Sequence, residues 1–173
     1  ITDVPVTDNL LPIENGKTRQ CHDGAIDITK AADYVSVTNN LIEMHDKTML
    51  IGSSDTGNTA AADVGRLKVT IAGNYFRNAQ QRVPRVRFGL VHVFNNYFVG
   101  DKSANPYPHS YSIGVGKSGQ ILSNANLFAI AGAAAGDCAG ILQTLSADAV
   151  SFFKDAGSVL NGAVLGACPV SSN

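Results

Sequence analysis

The 173-residue chain has no tryptophan, two methionines and few charged side chains, with 13 Lys and Arg against 14 Asp and Glu and a formal net charge of −1. So balanced a chain has no global field toward nucleic acid or an anionic membrane, and any anion binding must come from a local patch. It has no apolar run long enough to span a bilayer. The opening residues, Ile-Thr-Asp-Val, show no basic leader or cleavage motif. They read as mature protein or as a piece of a longer chain. No long stretch carries a 3.6-residue apolar period, and the Ala-Gly run at 131–136 is open between a small helix and a loop. Cysteine is scarce and odd in number: Cys21, Cys138 and Cys168. At most one bridge can form within a monomer, and no Cys-x-x-Cys spacing points to a metal. A Cys138–Cys168 bridge and three reduced thiols are equally open from spacing.

What the chain does have is a repeat. Three octets, Val35–Ile42, Val69–Phe76 and Val91–Phe98, place apolar residues first and third, Asn sixth and an apolar residue last. A fourth, Ile121–Phe128, is weaker because Ser123 takes an apolar slot. The first half of each alternates with period two, as a strand does, and the Asn then marks a turn. The Asn positions 40, 74, 96 and 126 are 34, 22 and 30 residues apart. Repeats of this size mean stacked units, and units of short strands and bends stack into a parallel β-helix. Unequal spacing then means loops projecting from some coils, and residues 53–65 and 101–110 read as such loops. Asn side chains at equivalent turns are expected to stack into a hydrogen-bonded ladder. The competing architecture is a β-sandwich, but hairpin signals are few, with Asn161-Gly162 the main one.

Three motifs carry chemistry. In Arg82-Val-Pro-Arg85-Val-Arg87-Phe-Gly, three arginines crowd six residues. Guanidinium forks suit planar carboxylates, and the mutual repulsion of three calls for an anion, either internal Asp or Glu or a polyanionic substrate. In His22-Asp23-Gly24-Ala-Ile-Asp27, two acids stand four apart. A straight strand would separate them by about 13 Å, whereas a bend at Gly24 brings them together for a hard cation such as Ca2+. The alternative is two solvated surface acids. In His45-Asp46-Lys47, the lysine reads either as a salt-bridged residue at a turn or as a carboxylate-binding ammonium.

In order and spacing these motifs, with Gly-Ser-Ser-Asp at 52–55 and Val-His-Val-x-Asn-Asn-Tyr-Phe at 91–98, closely resemble the central part of the pectate lyases, polysaccharide lyase family one. The likeness runs from about Cys21 to Phe98, and more loosely through Tyr111-Ser-Ile-Gly-Val-Gly and the Ser158–Gly162 segment. It implies an all-β, right-handed, single-stranded parallel β-helix over residues 1–173, truncated because the family's N-terminal coils and C-terminal tail are missing. It implies Ca2+-dependent β-elimination on polygalacturonate. Arg82 matches the base that takes the C5 proton, Lys47 and Arg87 the holders of substrate carboxylates, and Asp23 and Asp27 the metal ligands. The middle arginine, Arg85, is expected in a structural ion pair below the cleft. A further acidic ligand that the family carries on an earlier strand has no counterpart here, and Ala72-Gly73-Asn74 stands where His-His-Asn is common. The resemblance also implies a secreted, extracellular protein, reached through the periplasm in some hosts, monomeric at full length and with no nucleic-acid or membrane partner. An arginine base needs neighbouring positive charge to favour its neutral form, so the rate is expected to rise with pH above neutral. Two alternatives stand beside this: a pectin lyase-type enzyme, disfavoured by Asp23 and Asp27 and by zero Trp, and a non-catalytic polygalacturonate-binding β-helix.

Overall fold

The computed structural model describes residues 1, 13–14, 17–18 and 23–170. Cys21 and His22 lie outside the described residues. β1 (Ile13–Glu14) and β2 (Lys17–Thr18) form a short antiparallel pair. β3 (Gly24–Ile28) then opens a stack of coils. The next coil runs through β4 (Val35–Thr38) and the long β5 (Leu41–Ile51), followed by the helix α1 (Gly57–Asp63). β6 (Lys68–Ala72), β7 (Tyr75–Gln81) and β8 (Arg85–Val86) make the second coil. β9 (Leu90–Phe94), β10 (Tyr97–Asp101) and β11 (Ile113–Val115) make the third. β12 (Gln120–Asn124), β13 (Leu127–Ala131) and β14 (Leu142–Thr144) make the fourth, and β15 (Phe152–Ala156), β16 (Val159–Leu160) and β17 (Ala163–Val164) follow.

Equivalent strands of successive coils pair in parallel and form three faces. β4, β6, β9, β12 and β15 make one face. The start of β5 with β7, β10, β13 and β16 makes the second. The end of β5 with β3, β8, β11 and β14 makes the third. β5 serves two faces because it bends at Met44, whose φ of 53° lies opposite the φ of 51° at Asn78 on β7. The architecture is a parallel β-helix, as the octets predict.

Period-two alternation turns every second side chain inward, and in-register pairing then stacks like on like. Phe98 pairs with Phe76 and Phe128, and its ring centroid lies 5.0 and 4.5 Å from theirs. Ile42 and Leu160 continue that column, and all five side chains are buried. Fully burying a side chain of this kind contributes roughly 1.5–3 kcal/mol, so each coil is held chiefly by the columns it shares with its neighbours.

The expected ladder occupies the corner between the first two faces. Asn40, Asn74 and Asn96 each donate both the backbone N–H and the side-chain Nδ2 to the Oδ1 of the next Asn, all at 3.0 Å. Asn126 donates its N–H to Ser158 Oγ at 3.0 Å, so a serine ends the series. The residue before each rung adopts left-handed backbone: Asn39, Gly73, Asn95, Ala125 and Gly157 have φ between 48° and 76°. Asn and Gly tolerate that conformation and Ala does not favour it, which accounts for most of what stands there. Asn161-Gly162 makes the hairpin joining β16 to β17. Two loop expectations change in detail. The 53–65 segment carries α1, and residues 131–136 form a turn-rich loop before a short 3-10 turn at Cys138–Gly140. Cys138 and Cys168, left open by spacing, are joined as a disulfide with Cα atoms 5.4 Å apart.

Candidate active site

The third face carries the motif residues because its strands end where the coils turn away from the stack. Register fixes their positions. Gly24 pairs with Lys47, and Asp27 pairs with Leu50, which pairs in turn with Arg85. Adjacent strands lie about 4.8 Å apart, so the backbone of Arg85 stands about 10 Å from that of Asp27. The carbonyl of Arg82 accepts the N–H of Met49 at 2.6 Å, and Met49 pairs with Ile26 on β3. Asp27, Lys47 and Arg85 therefore sit on neighbouring strands of one face, and the charges of Lys47 and Arg82 are felt at Asp23. Arg82 itself has φ of 58°, a costly conformation for a residue with a Cβ.

The Lys47 ammonium lies 2.7 Å from Asp23 Oδ1, from a strand position where a turn was one reading. That hydrogen bond is the largest cause holding the Asp23 carboxyl below its ordinary value, with smaller contributions from the charges of Arg82 and His45. Asp27 folds back over Gly24: a Cβ on Gly24 would stand 2.8 Å from Asp27 Oδ1. The bare α-carbon thus leaves room for the Asp27 carboxylate, within a strand that pairs in register with β5 from Gly24 to Ile28. These two acids have the oxygen chemistry that a hard cation prefers. Among the described residues no group of three or more His, Cys, Asp or Glu side chains is gathered for a metal. No third acid joins Asp23 and Asp27 among the described residues.

The arginines differ sharply from one another. Arg87 is buried, with Nε donating to Asp55 Oδ1 at 2.6 Å and Nη1 to the Gly52 carbonyl at 2.9 Å. Its internal anion is the last residue of the Gly-Ser-Ser-Asp motif, a partner that sequence reading did not assign. The Lys117 ammonium reaches the Asp55 carbonyl at 3.2 Å. Arg85, expected in an ion pair, has no carboxylate within 4 Å among the described residues, and neither has Arg82. The Nε atoms of both are buried without an acceptor. Burial first, and then the nearby charges of Arg87 and Arg82, push the Arg85 guanidinium below its ordinary value, against an opposite pull from Tyr111 and Asp55. Tyr111 is the other residue that sequence reading passed over. It is 5% exposed, and the backbone bonds that run residues 110–114 along 80–84 set it beside the arginine segment.

Comparison with known proteins agrees with the fold and the motif order. A family model described as pectate lyase matches residues 5–172. Pectate lyase A of Dickeya chrysanthemi is 44% identical over 165 residues, covering 95% of this chain and 41% of that protein. The pectate lyase of Bacillus subtilis strain 168 is 38% identical over 160 residues, covering 92% and 36%. Among solved structures, a pectate lyase bound to a hexasaccharide superposes with a TM-score of 0.81 at 35% identity, covering 95% of this chain and 39% of the other. A pectate lyase studied for substrate specificity and its anti β-elimination mechanism gives 0.77 at 36% identity, covering 90% and 37%. The chain spans about two fifths of the length of the relatives it matches. Motif order, the coiled stack and a family match over nearly every residue converge, and the chain belongs to the pectate lyase family.

Proposed function

We propose that this chain carries the catalytic face of a Ca2+-dependent pectate lyase, which cleaves polygalacturonate by β-elimination with Arg82 as the base. The observation that carries this is Arg82, with no carboxylate partner among the described residues, on the face that also carries Asp23, Lys47 and Arg85. In the reaction the base removes the C5 proton, the freed electron pair forms the C4–C5 double bond, and the glycosidic oxygen leaves C4. Proton loss beside a carboxylate builds negative charge there. A cationic wall stabilises that charge where it develops. Lys47 supplies one ammonium and Arg87 a guanidinium for substrate carboxylates, although two of the Arg87 donors are already engaged by Asp55 and Gly52. Arg85, close enough to Arg82 for its charge to be felt, adds to the positive potential of this wall.

Ca2+, when bound, would be held by Asp23 and Asp27 and would neutralise a uronate carboxylate next to the acidic proton. The Cys138–Cys168 bridge supports an oxidising, extracellular setting for the protein, as does a polymeric substrate of the plant wall. The test is the appearance of unsaturated product absorbance from polygalacturonate. It should require Ca2+, vanish with EDTA, return on Ca2+ addition, rise above neutral pH and disappear in Arg82→Ala with its circular dichroism unchanged. Activity that survives chelation would favour the pectin lyase-type reading. A second reading, binding of polygalacturonate without turnover, is favoured by one observation: among the described residues no third acid joins Asp23 and Asp27, and Asp23 already holds Lys47.

A further inference from the structure

We propose that Asp55 is the positioning residue of Arg87, its carboxylate turning a buried guanidinium so that the unused donors meet a uronate carboxylate. The proposal rests on Arg87 as a holder of substrate carboxylates. Stacking puts Arg87 in a slot between two glycines. Ile51 pairs with Val86 and Val86 with Val115, so Gly52, Arg87 and Gly116 occupy equivalent places on successive coils. A Cβ on Gly52 would stand 2.9 Å from Arg87 Cβ, and one on Gly116 would stand 3.0 Å from Arg87 Cγ. Bare α-carbons on both sides thus admit the arginine stem. Within the slot Nε donates to Asp55 Oδ1 at 2.6 Å and Nη1 to the Gly52 carbonyl at 2.9 Å. Lys117 Nζ donates to the Asp55 carbonyl at 3.2 Å, which ties the backbone of Asp55 to the third coil as well. A guanidinium has five N–H donors. These two bonds leave three, on a side chain that is 10% exposed.

Asp55 can act on substrate binding in two opposite ways. As an anion it competes with a uronate for the same guanidinium. As an acceptor it fixes the fork and spares the substrate the ordering of a long, flexible side chain. The geometry favours the second, because neither bond uses Nη2, and both of its N–H groups stay for a ligand. A carboxylate partner also suits this arginine and not Arg82. It favours the cation, which serves a residue that binds an anion and would hinder one that must accept a proton. It further offsets the cost of burying a charge.

The test is calorimetric titration with trigalacturonate and Ca2+. An Arg82→Ala background keeps turnover from consuming the probe, and circular dichroism checks the fold of each variant. Asp55→Ala should weaken binding about tenfold, the scale of one charge-assisted hydrogen bond. Asp55→Asn keeps an acceptor and should recover most of this, to about threefold weaker than the background. Arg87→Ala should weaken binding at least as much as Asp55→Ala. Adding Asp55→Ala to it should change nothing further, the mark of two residues acting as one unit. Unchanged or tighter binding in Asp55→Ala, beside weakened binding in Arg87→Ala, would overturn this proposal alone. So would an equal loss from Asp55→Ala with and without Arg87. Unchanged binding in Arg87→Ala, or no binding by the background itself, would overturn the reading beneath it. Should Asp55→Ala not fold, Asp55→Asn decides: a threefold loss supports positioning, and equal or tighter binding refutes it.

Discussion

Replacing Asn96 by alanine removes the middle rung of the ladder. The Asn96 side chain accepts from Asn74 N–H and Asn74 Nδ2, and donates to Ile71 O, Phe94 O and Asn126 Oδ1. Its loss orphans the Asn74 N–H and one Nδ2 hydrogen, the other keeping the Val37 carbonyl, at a corner where Asn74 is itself buried. A buried group left without a partner costs about 1–3 kcal/mol, so Asn96→Ala should cost about 4 kcal/mol. Asn40 stands at the exposed end of the same ladder and is an internal control. It donates to Thr38 O and Asn74 Oδ1, and none of the described ladder residues donates to its side chain. Asn40→Ala orphans no buried donor and leaves its own N–H bond to Asn74 Oδ1 in place, so it should cost about 1 kcal/mol or less. Urea unfolding followed by far-ultraviolet circular dichroism measures both, with denaturant slopes compared to confirm like-for-like transitions. Costs for the two variants within about 0.5 kcal/mol of each other, the usual spread of surface substitutions, would refute the view that the ladder acts through its buried acceptors.

Acid should weaken the fold before its carboxylates titrate. Burial lowers the His109 pKa from 6.5 to about 4. Between these values the unfolded chain binds a proton that the folded chain refuses, so stability falls as pH drops through this window. The loss is on the order of 3 kcal/mol by pH 4, and urea unfolding of the parent and His109→Gln at pH 7.5 and 4.5 should show the pH slope shrinking in the variant. Cys168→Ser opens the loop that Cys138–Cys168 closes over a separation of 30 residues. Its expected cost is about 3–4 kcal/mol by loop entropy, read as a lower urea midpoint that dithiothreitol reproduces in the parent. A midpoint insensitive to both would contradict a stabilising bridge.

The stack was legible from sequence because each coil repeats a local rule. Alternating apolar residues and a corner Asn are fixed by short-range geometry, and Asn40, Asn74, Asn96 and Asn126 fall where that rule puts them. Ser158 was missed as the last rung, since a hydroxyl serves there as acceptor in place of an amide. α1 left no trace because seven residues give too little of a helical period to detect. The site was legible as a set of residues and less so as a set of pairings. Lys47 with Asp23 and Arg87 with Asp55 join residues 24 and 32 apart, separations set by coil length and loop content rather than by any local pattern. Arg85 was assigned an internal anion that the described residues do not place within 4 Å of it. Tyr111 stood only in a segment of looser likeness, because its place beside the arginine segment comes from two chain stretches running side by side.

Coil length in this protein is set at only one corner. The rungs sit 34, 22, 30 and 32 residues apart, yet every hydrogen bond between them has the same length. The 22-residue coil from Asn74 to Asn96 is the bare circuit, and the longer ones discharge their surplus elsewhere, as α1, as residues 102–110 or as the disulfide segment. For an engineer, the amide corner is a closed seam and the opposite rims are open ports: a foreign peptide spliced into 102–106 leaves the seam untouched, whereas one extra residue between Phe94 and Tyr97 breaks it.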